Sequence, residues 1–139
     1  MLNPGPPPAG ARASFGSGAE KEGRATDDAK AAALLAASVL QSKKGHRVTV
    51  LDLRQVTLIA DYFVIASGST PLQVEALAEH VDEAMAKAGV ALLQRNGRHR
   101  AHWVLLDYGA VVVHLFTDEE RQYYNLERLW GDAEVVLAT

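Results

Sequence analysis

The stretch WVLLDYGAVVVHLF, residues 103–116, constrains the fold of this chain more than any other part. Two runs of apolar residues flank a short break at 107–110, a pattern typical of a β-hairpin in which Gly109 takes the left-handed position of the loop. A hairpin with one face in water alternates apolar and polar residues. This hairpin barely alternates, so both faces need cover, and the sequence leaves open whether all of that cover belongs to the chain itself.

The other elements predict an α/β fold, a mixed β-sheet with packed helices in one layer or two. Apolar residues at helical spacing predict a helix over 27–44. The segments 46–53 and 61–67 are expected to be strands, and the second should be central because it is apolar on both faces.

A further helix should begin after Thr70, because Pro71 suits its first turn and Gln73 completes a capping box. This helix should end at Gly89. Three more segments complete the pattern: 90–94 is expected to be a strand, 118–130 one or two short helices after a Thr117 cap, and 134–138 a last strand or a tail.

Residues 1–26 are rich in Pro, Gly and Ala and show no periodicity. Such a composition predicts a disordered extension, which leaves residues 27–139 as one α/β domain. A mitochondrial presequence would need an amphipathic helix, and the Pro-Gly-Pro-Pro-Pro run at the start argues against one.

Composition excludes several kinds of site. The chain has no cysteine, so it can form no disulfide, thiol nucleophile or zinc–thiolate centre, which suits the reducing cytoplasm. No apolar run reaches the ~18 residues of a membrane span. The net charge is −3, and the domain without the extension stands at −4. Such an acidic domain is a poor candidate for holding nucleic acid mainly by counterion release.

The junction Gly68-Ser69-Thr70 is the best lead for an enzyme. Amides at a helix N-terminus bind phosphate, which would suit nucleotidyl or phosphoryl transfer. That chemistry needs paired carboxylates around magnesium, and no Asp-x-Asp pair follows residue 70. The five histidines have no metal-ligand spacing, and His114, inside an apolar strand, is expected to be a core residue. We therefore expect neither a metal nor a cofactor.

Two features of the sequence favour a binding function over catalysis. The loop that holds Arg95, Arg98 and Arg100 is either a solvated loop or a small contact for phosphate or an acidic surface. Five tryptophan and tyrosine residues fall in the last 40 positions, and such residues are common anchors of protein interfaces: Trp103, Tyr108, Tyr123, Tyr124 and Trp130. We expect Tyr108 to lie outside the core, because it occupies the tip of the hairpin.

Four blocks of the sequence closely resemble the ribosomal silencing factor family, also called the Iojap-related family: residues 61–70, 73–81, 103–116 and 121–130. The resemblance runs from about residue 27 to residue 136. It implies a fold similar to that of nucleotidyltransferases but without their active site, no enzymatic activity, and homodimers.

The resemblance also implies a partner and a role. Members bind the large ribosomal subunit through a ribosomal protein of its intersubunit face, the fourteenth of the large-subunit set, and thereby exclude the small subunit and reduce translation when nutrients are short. The residues carried over to that contact lie in the hairpin: Trp103, Asp107 and Gly109, with Leu105, Leu106 and Tyr108 beside them. Ala110 departs from the family, which often has Asp there. The basic loop would add a minor contact with ribosomal RNA, and the role of 126–130, packing or binding, stays open.

Overall fold

The computed structural model describes residues 19–98 and 100–139, which form one six-stranded sheet with helices on both faces. The elements, in chain order, are α1 (Ala19–Ser42), β1 (His46–Asp52), β2 (Tyr62–Gly68), α2 (Pro71–Lys87), β3 (Gln94–Asn96), β4 (Trp103–Asp107), β5 (Val111–Thr117), α3 (Asp118–Tyr124), α4 (Leu126–Leu129) and β6 (Glu134–Ala138). Among the helices of this described part, none combines the length and hydropathy that crossing a membrane requires.

The strand order is β3-β4-β5-β2-β1-β6, and β2 and β5 pair in parallel while their other neighbours are antiparallel. The predicted mixed α/β fold is therefore confirmed. β2 is central and buried along its whole length, as its apolar sequence on both faces predicts.

One face of the sheet, here called the helical face, is covered by α1 and α2. Small alanine side chains on the buried side of α1 allow this helix to approach the strands closely, and α2 contributes larger aliphatic residues. The buried positions of the two helices include Ala33, Ala36, Leu40, Val74, Leu77, Val81 and Met85, all fully or almost fully buried.

The opposite face, here called the aromatic face, is covered by α3, α4 and the connection between β1 and β2. Its buried residues are Leu51, Leu53, Ala60, Phe63, Ile65, Leu105, Val112, Phe116 and Leu126. Partly exposed residues pack around these, namely Ile59, Trp103, Tyr124, Trp130 and Ala133. The short covering helices leave the rim of this face open, so the two faces of one sheet are closed to different degrees.

Local signals place the helices as expected. The Thr70 hydroxyl accepts from the backbone N–H of Gln73, and the Gln73 side chain accepts in turn at 2.7 Å from the N–H of Ser69, so the second bond of the predicted capping box is shifted by one residue from Thr70. Thr117 caps α3 with a hydroxyl that accepts from the Glu120 N–H. Gly109 has φ +92°, the left-handed conformation expected in the hairpin loop.

Other predictions differ from the structure. α1 begins at Ala19, not near residue 27; apart from Gly23, residues 19–25 are Ala, Glu, Lys and Arg, which favour helix. The predicted disorder of residues 1–18 lies outside the described residues. The strand expected at 90–94 is wrong: β3 is Gln94–Asn96, where the chain pairs with β4, while Val90 and Leu92 only pack against the core. Residues 134–138 form a strand.

Candidate functional site

Trp103 lies at the start of β4 on the rim of the aromatic face. Its ring is partly exposed and contacts Phe116 and Tyr124, with ring centroids 4.5 Å away in each case. Its Nε1–H donates a hydrogen bond to Nδ1 of His114 at 3.3 Å. Trp103 therefore combines a fixed orientation with surface that a partner can cover.

Trp103 belongs to a continuous row of rings across the aromatic face, here called the aromatic row: Trp130, Phe63, His114, Trp103, Tyr124 and Tyr123. Successive members are in contact, with centroid distances of 5.7, 4.5, 6.0, 4.5 and 5.0 Å. Edge-to-face arrangements such as that of Phe63 and His114 are favourable geometries for such pairs. Tyr123, at the end of the row, is 78% exposed.

The elements that carry this row also expose aliphatic side chains. Leu58, in the connection between β1 and β2, is 86% exposed beside Ile59, which packs on the aromatic face. Leu129 in α4 is 56% exposed. Leu58 and Leu129 each adjoin in sequence a residue that packs on the aromatic face, and exposed apolar residues together with partly exposed rings are typical of a surface that another protein covers.

A buried arginine fixes α3 and α4 to the sheet. The Arg121 guanidinium is 1% exposed and donates to the His46 carbonyl at 3.0 Å, to Thr49 Oγ1 at 3.2 Å, and to the carboxylate of Glu127 in α4. Burial lowers the pKa of Arg121, and the Glu127 carboxylate opposes that effect. α3, which carries Tyr123 and Tyr124, is thus held to the sheet and to α4 by a polar network, in addition to the apolar packing of Tyr124 and Leu126 on the aromatic face.

The hairpin tip is closed by the chain itself. Tyr108 is only 8% exposed, and its hydroxyl donates to Asp82 of α2 at 2.9 Å. The expectation that Tyr108 lies outside the core is therefore wrong, because α2 covers the tip and supplies a partner for the hydroxyl. Burial there raises the pKa of Tyr108.

The other predicted contact residues are also enclosed. Leu105 and Leu106 are 4% and 0% exposed. Asp107 is fully buried, its Oδ1 accepts from the Gly109 N–H at 2.8 Å, and burial raises the pKa of its carboxyl. Among the six residues predicted for the ribosomal-protein contact, Trp103 alone has a substantially accessible side chain, and the binding role of all six stays a prediction.

Sequence reasoning missed several members of the site. It did not assign Phe63, His114, Arg121 or Leu58 to a surface. The alternation of β2 could have placed Phe63 opposite the helices, since side chains two apart share a face. No sequence signal indicates that Arg121 is buried, because arginine is mostly exposed in proteins.

The basic loop holds one arginine with an ion-pair partner and two without one among the described residues. Arg95 pairs with Glu75 of α2 and donates to the Gly97 carbonyl at 3.0 Å. Arg98 and Arg100 make no ion pair within the described part of the chain and line an open groove of about 750 Å³. The groove is completed by Thr70, Pro71, Leu72 and Glu79 as well as the Glu75–Arg95 pair. His99 lies outside the described residues.

At the Gly68-Ser69-Thr70 junction, backbone amides donate hydrogen bonds to side chains of the same turn. The Ser69 N–H, which a phosphate would need, donates to Gln73 Oε1, and a side chain added at Gly68 would meet Gln73 at 3.1 Å. Across the residues that the structure describes, no three His, Asp or Glu side chains converge as ligands for a metal ion. The junction is a helix cap in which Gln73 occupies the place of an anion.

Comparison with known proteins identifies the family. The sequence model of the family described as "Ribosomal silencing factor during starvation" matches residues 26–139. The ribosomal silencing factor RsfS of Halalkalibacterium halodurans is 42% identical over 102 residues, 73% of this chain and 87% of that protein. The RsfS of Bacillus subtilis is 41% identical, over 71% of this chain and 84% of that protein.

Two solved structures are also similar to this chain. A crystal structure of a protein from Chromobacterium violaceum has a TM-score of 0.71 at 35% identity, and covers 73% of this chain and 85% of that one. A crystal structure from Bacillus halodurans has a TM-score of 0.66 at 36% identity, and covers 75% and 94%. The family model spans the sheet, the greater part of α1, all of α2 and the aromatic face, and the chain belongs to the ribosomal silencing factor family.

Proposed function

We propose that this protein silences ribosomes by docking its aromatic face on a ribosomal protein of the large subunit. The partner is the fourteenth protein of the large-subunit set, and the bound domain excludes the small subunit and represses translation under nutrient limitation. The observation that carries the proposal is the partly exposed, rigidly held Trp103 in the aromatic row. Bulky aromatic anchors surrounded by well-packed neighbours supply most of the affinity of many protein interfaces.

A steric mechanism fits the chemistry of the molecule. At the Gly68-Ser69-Thr70 junction the Ser69 N–H already donates to the Gln73 side chain, and the family is named for silencing ribosomes. We infer a cytoplasmic regulator and not an enzyme. Its effect would then depend on occupancy of the docking site, because the domain acts through the space that it fills.

The proposal is tested by placing a charge in the docking surface. Trp103→Glu should abolish co-sedimentation with purified large subunits, since losing such an anchor costs ~2 kcal/mol or more and a buried charge adds desolvation. Ala86→Glu, which adds the same charge at an exposed site on α2, is the matched control and should bind normally. Circular dichroism and thermal unfolding verify the fold of both. Normal binding by a folded Trp103→Glu protein would refute the docking assignment.

A second, weaker contact is proposed for the basic loop. Arg98 and Arg100 are exposed and lie in the loop that leads into Trp103, so they can reach ribosomal RNA beside the docked hairpin. Arg95 is expected to contribute less because Glu75 already neutralises it. The double variant Arg98→Ala/Arg100→Ala should lower the slope of log affinity against log salt by ~1 for each phosphate that the loop no longer neutralises. An unchanged slope would show that the loop is only solvated.

Homodimer formation, implied by the resemblance, belongs to the proposal as well. A dimer that uses the aromatic face would compete with ribosome binding, because both partners would cover the same rings. Light scattering of the isolated protein, repeated with Trp103→Glu, distinguishes the cases. A dimer that survives this substitution must use another surface.

A further inference from the structure

His114 carries a hydrogen bond that links the core of the sheet to the docking surface. It lies on β5, is 4% exposed, and is diagonal to Trp103 across the β4–β5 pairing. Its ring packs edge-on against Phe63 at 4.5 Å and parallel to Phe116 at 6.3 Å. Its Nδ1 accepts from the Trp103 indole, and its Nε2 is buried without a hydrogen-bond partner.

The chemistry of the two rings fixes the direction of this bond. The indole N–H is only a donor, so Nδ1 of His114 must be the acceptor and the ring proton must lie on Nε2. Burial lowers the pKa of His114 to about 3, which keeps the ring neutral and Nδ1 available at physiological pH. The one polar contact of this buried ring within the described residues is therefore with Trp103.

Packing alone does not require an imidazole at this position. An apolar side chain of similar size would fill the space between Phe63 and Phe116 without enclosing an unpaired N–H. Ring contacts alone also do not fix the orientation of the indole, because the χ2 torsion of Trp is broad and nearly twofold. A flipped indole would keep its contacts with Phe116 and Tyr124 but would turn Nε1 away from His114.

We propose that His114 is a positioning residue, whose Nδ1 selects the orientation in which the Trp103 indole meets the large-subunit partner. This inference rests on the proposed function for its biological meaning. The hydrogen bond itself belongs to the free protein and can be tested there. His114 would then act on binding only through Trp103.

The experiment compares two substitutions. His114→Leu removes the acceptor, whereas His114→Asn places a carbonyl oxygen close to the position of Nδ1. In the free protein, the indole N–H resonance of Trp103, assigned with the help of Trp130→Phe, should shift in the Leu variant and exchange with solvent about fivefold faster, the factor that one ordinary hydrogen bond provides. The Asn variant should restore slow exchange.

Binding to purified large subunits is the second measurement. His114→Leu should bind about fivefold more weakly although its thermal midpoint is equal to or above that of the wild type, because it removes an unpaired buried N–H. His114→Asn should bind within about twofold of the wild type. Val81→Ala, a core change under α2, is the control for lost stability and should bind normally once folded.

Trp103→Phe provides an arm that does not depend on the folding of the His114 variants. It removes the donor and keeps a ring, so its affinity should fall, and adding His114→Leu should then cost less than about twofold. Wild-type affinity of Trp103→Phe would overturn the inference. An unchanged indole resonance in His114→Leu, or equal losses for His114→Leu and Val81→Ala, would overturn it as well.

Failure of the proposed function has a different signature. If Trp103→Glu binds large subunits normally, the docking assignment is wrong, while the indole exchange rates still decide whether His114 holds Trp103. If Trp103→Glu loses binding but His114→Leu binds normally, the docking assignment stands and the positioning role is wrong.

Discussion

The two faces of the sheet show how one scaffold separates stability from recognition. On the helical face, alanines of α1 and aliphatic residues of α2 close the surface until positions such as Ala36 and Leu77 have almost no exposure. On the aromatic face, rings pack around a smaller buried centre, and Trp103 stays partly exposed. The first face can contribute only to folding, whereas the second retains surface for a partner.

The difference has a physical origin in what covers each face. Two long helices bury wide apolar area, and each buried aliphatic side chain contributes ~1.5–3 kcal/mol to folding. α3 and α4 are too short to cover the other face, and Arg121 fastens them through hydrogen bonds. A rigid but incomplete cover leaves ordered rings at its rim, so little conformational freedom is lost when a partner docks.

Removing the Arg121 side chain, which holds α3 and α4 on the aromatic face, should have the largest effect on stability. Arg121→Ala removes the buried donor to Thr49 and to the His46 carbonyl and leaves the partly buried Glu127 with only Arg47 at 3.8 Å, and such losses cost ~3–5 kcal/mol of the free energy of unfolding. Urea titration measures this cost, and binding to large subunits should fall with the loss of α3. The control Arg47→Ala removes an exposed partner of the same Glu127 and should cost less than ~1 kcal/mol. Equal losses of unfolding free energy in the two variants would contradict the proposed role of Arg121 in holding α3 and α4 on the sheet.

A cavity under the helical face should lower the free energy of unfolding almost as much but should leave binding to large subunits unchanged. Leu77→Ala removes a side chain that is 1% exposed, and we expect ~3 kcal/mol of lost unfolding free energy. Leu72→Ala on the same helix, where the side chain is 81% exposed, should change it by less than ~0.5 kcal/mol. The folded fraction of Leu77→Ala should bind large subunits normally. A specific loss of affinity would mean that the two faces are coupled.

Truncation at the exposed end of the aromatic row should show the opposite pattern. Tyr123→Ala should change unfolding by less than ~0.5 kcal/mol, because the side chain is 78% exposed, yet weaken binding by ~1–2 kcal/mol. Glu119→Ala, on an exposed position of the same helix, is the control and should leave both quantities unchanged. If Tyr123→Ala binds like the control, the docking surface does not reach this end of the row.

The ion pair between the buried Asp52 and the partly exposed Arg54 should have the smallest effect on stability and a defined pH dependence. Hydrogen bonds from Arg54 hold the pKa of Asp52 below its usual value, and Arg54 is 41% exposed, so the pair should contribute less than ~1 kcal/mol. This stability is present above the ordinary carboxyl pKa of ~3.9 and is lost as the pH falls through the lowered value.

Thermal unfolding of wild type and Asp52→Asn measures this dependence. The difference between their midpoints should be constant from neutral pH to about pH 5 and should shrink below about pH 4. A difference that grows on acidification would contradict the direction of the pKa shift.

Local signals predicted most of the fold. The Thr70 capping box, the Gly109 turn and the apolar pattern of β2 depend on interactions between near neighbours, so they can be read without tertiary information. The strand misplaced at 90–94 shows the limit. Val90 and Leu92 are apolar enough for a strand, but the first backbone hydrogen bond to β4 comes from Leu93, and the strand itself begins at Gln94.

The candidate site was likewise predicted in part from the sequence and in part decided by the tertiary structure. Trp103 and its neighbours came from the resemblance of the hairpin block, and the sequence alone determined that this hairpin needs cover on both faces. Only the tertiary structure decided which cover each side receives. α2 closes the tip over Tyr108, the Arg121 network places short helices on the aromatic face, and His114 meets Trp103. The first two of these contacts join residues far apart in the chain, and the third depends on how two rings of one hairpin pack on the sheet, which no local pattern encodes.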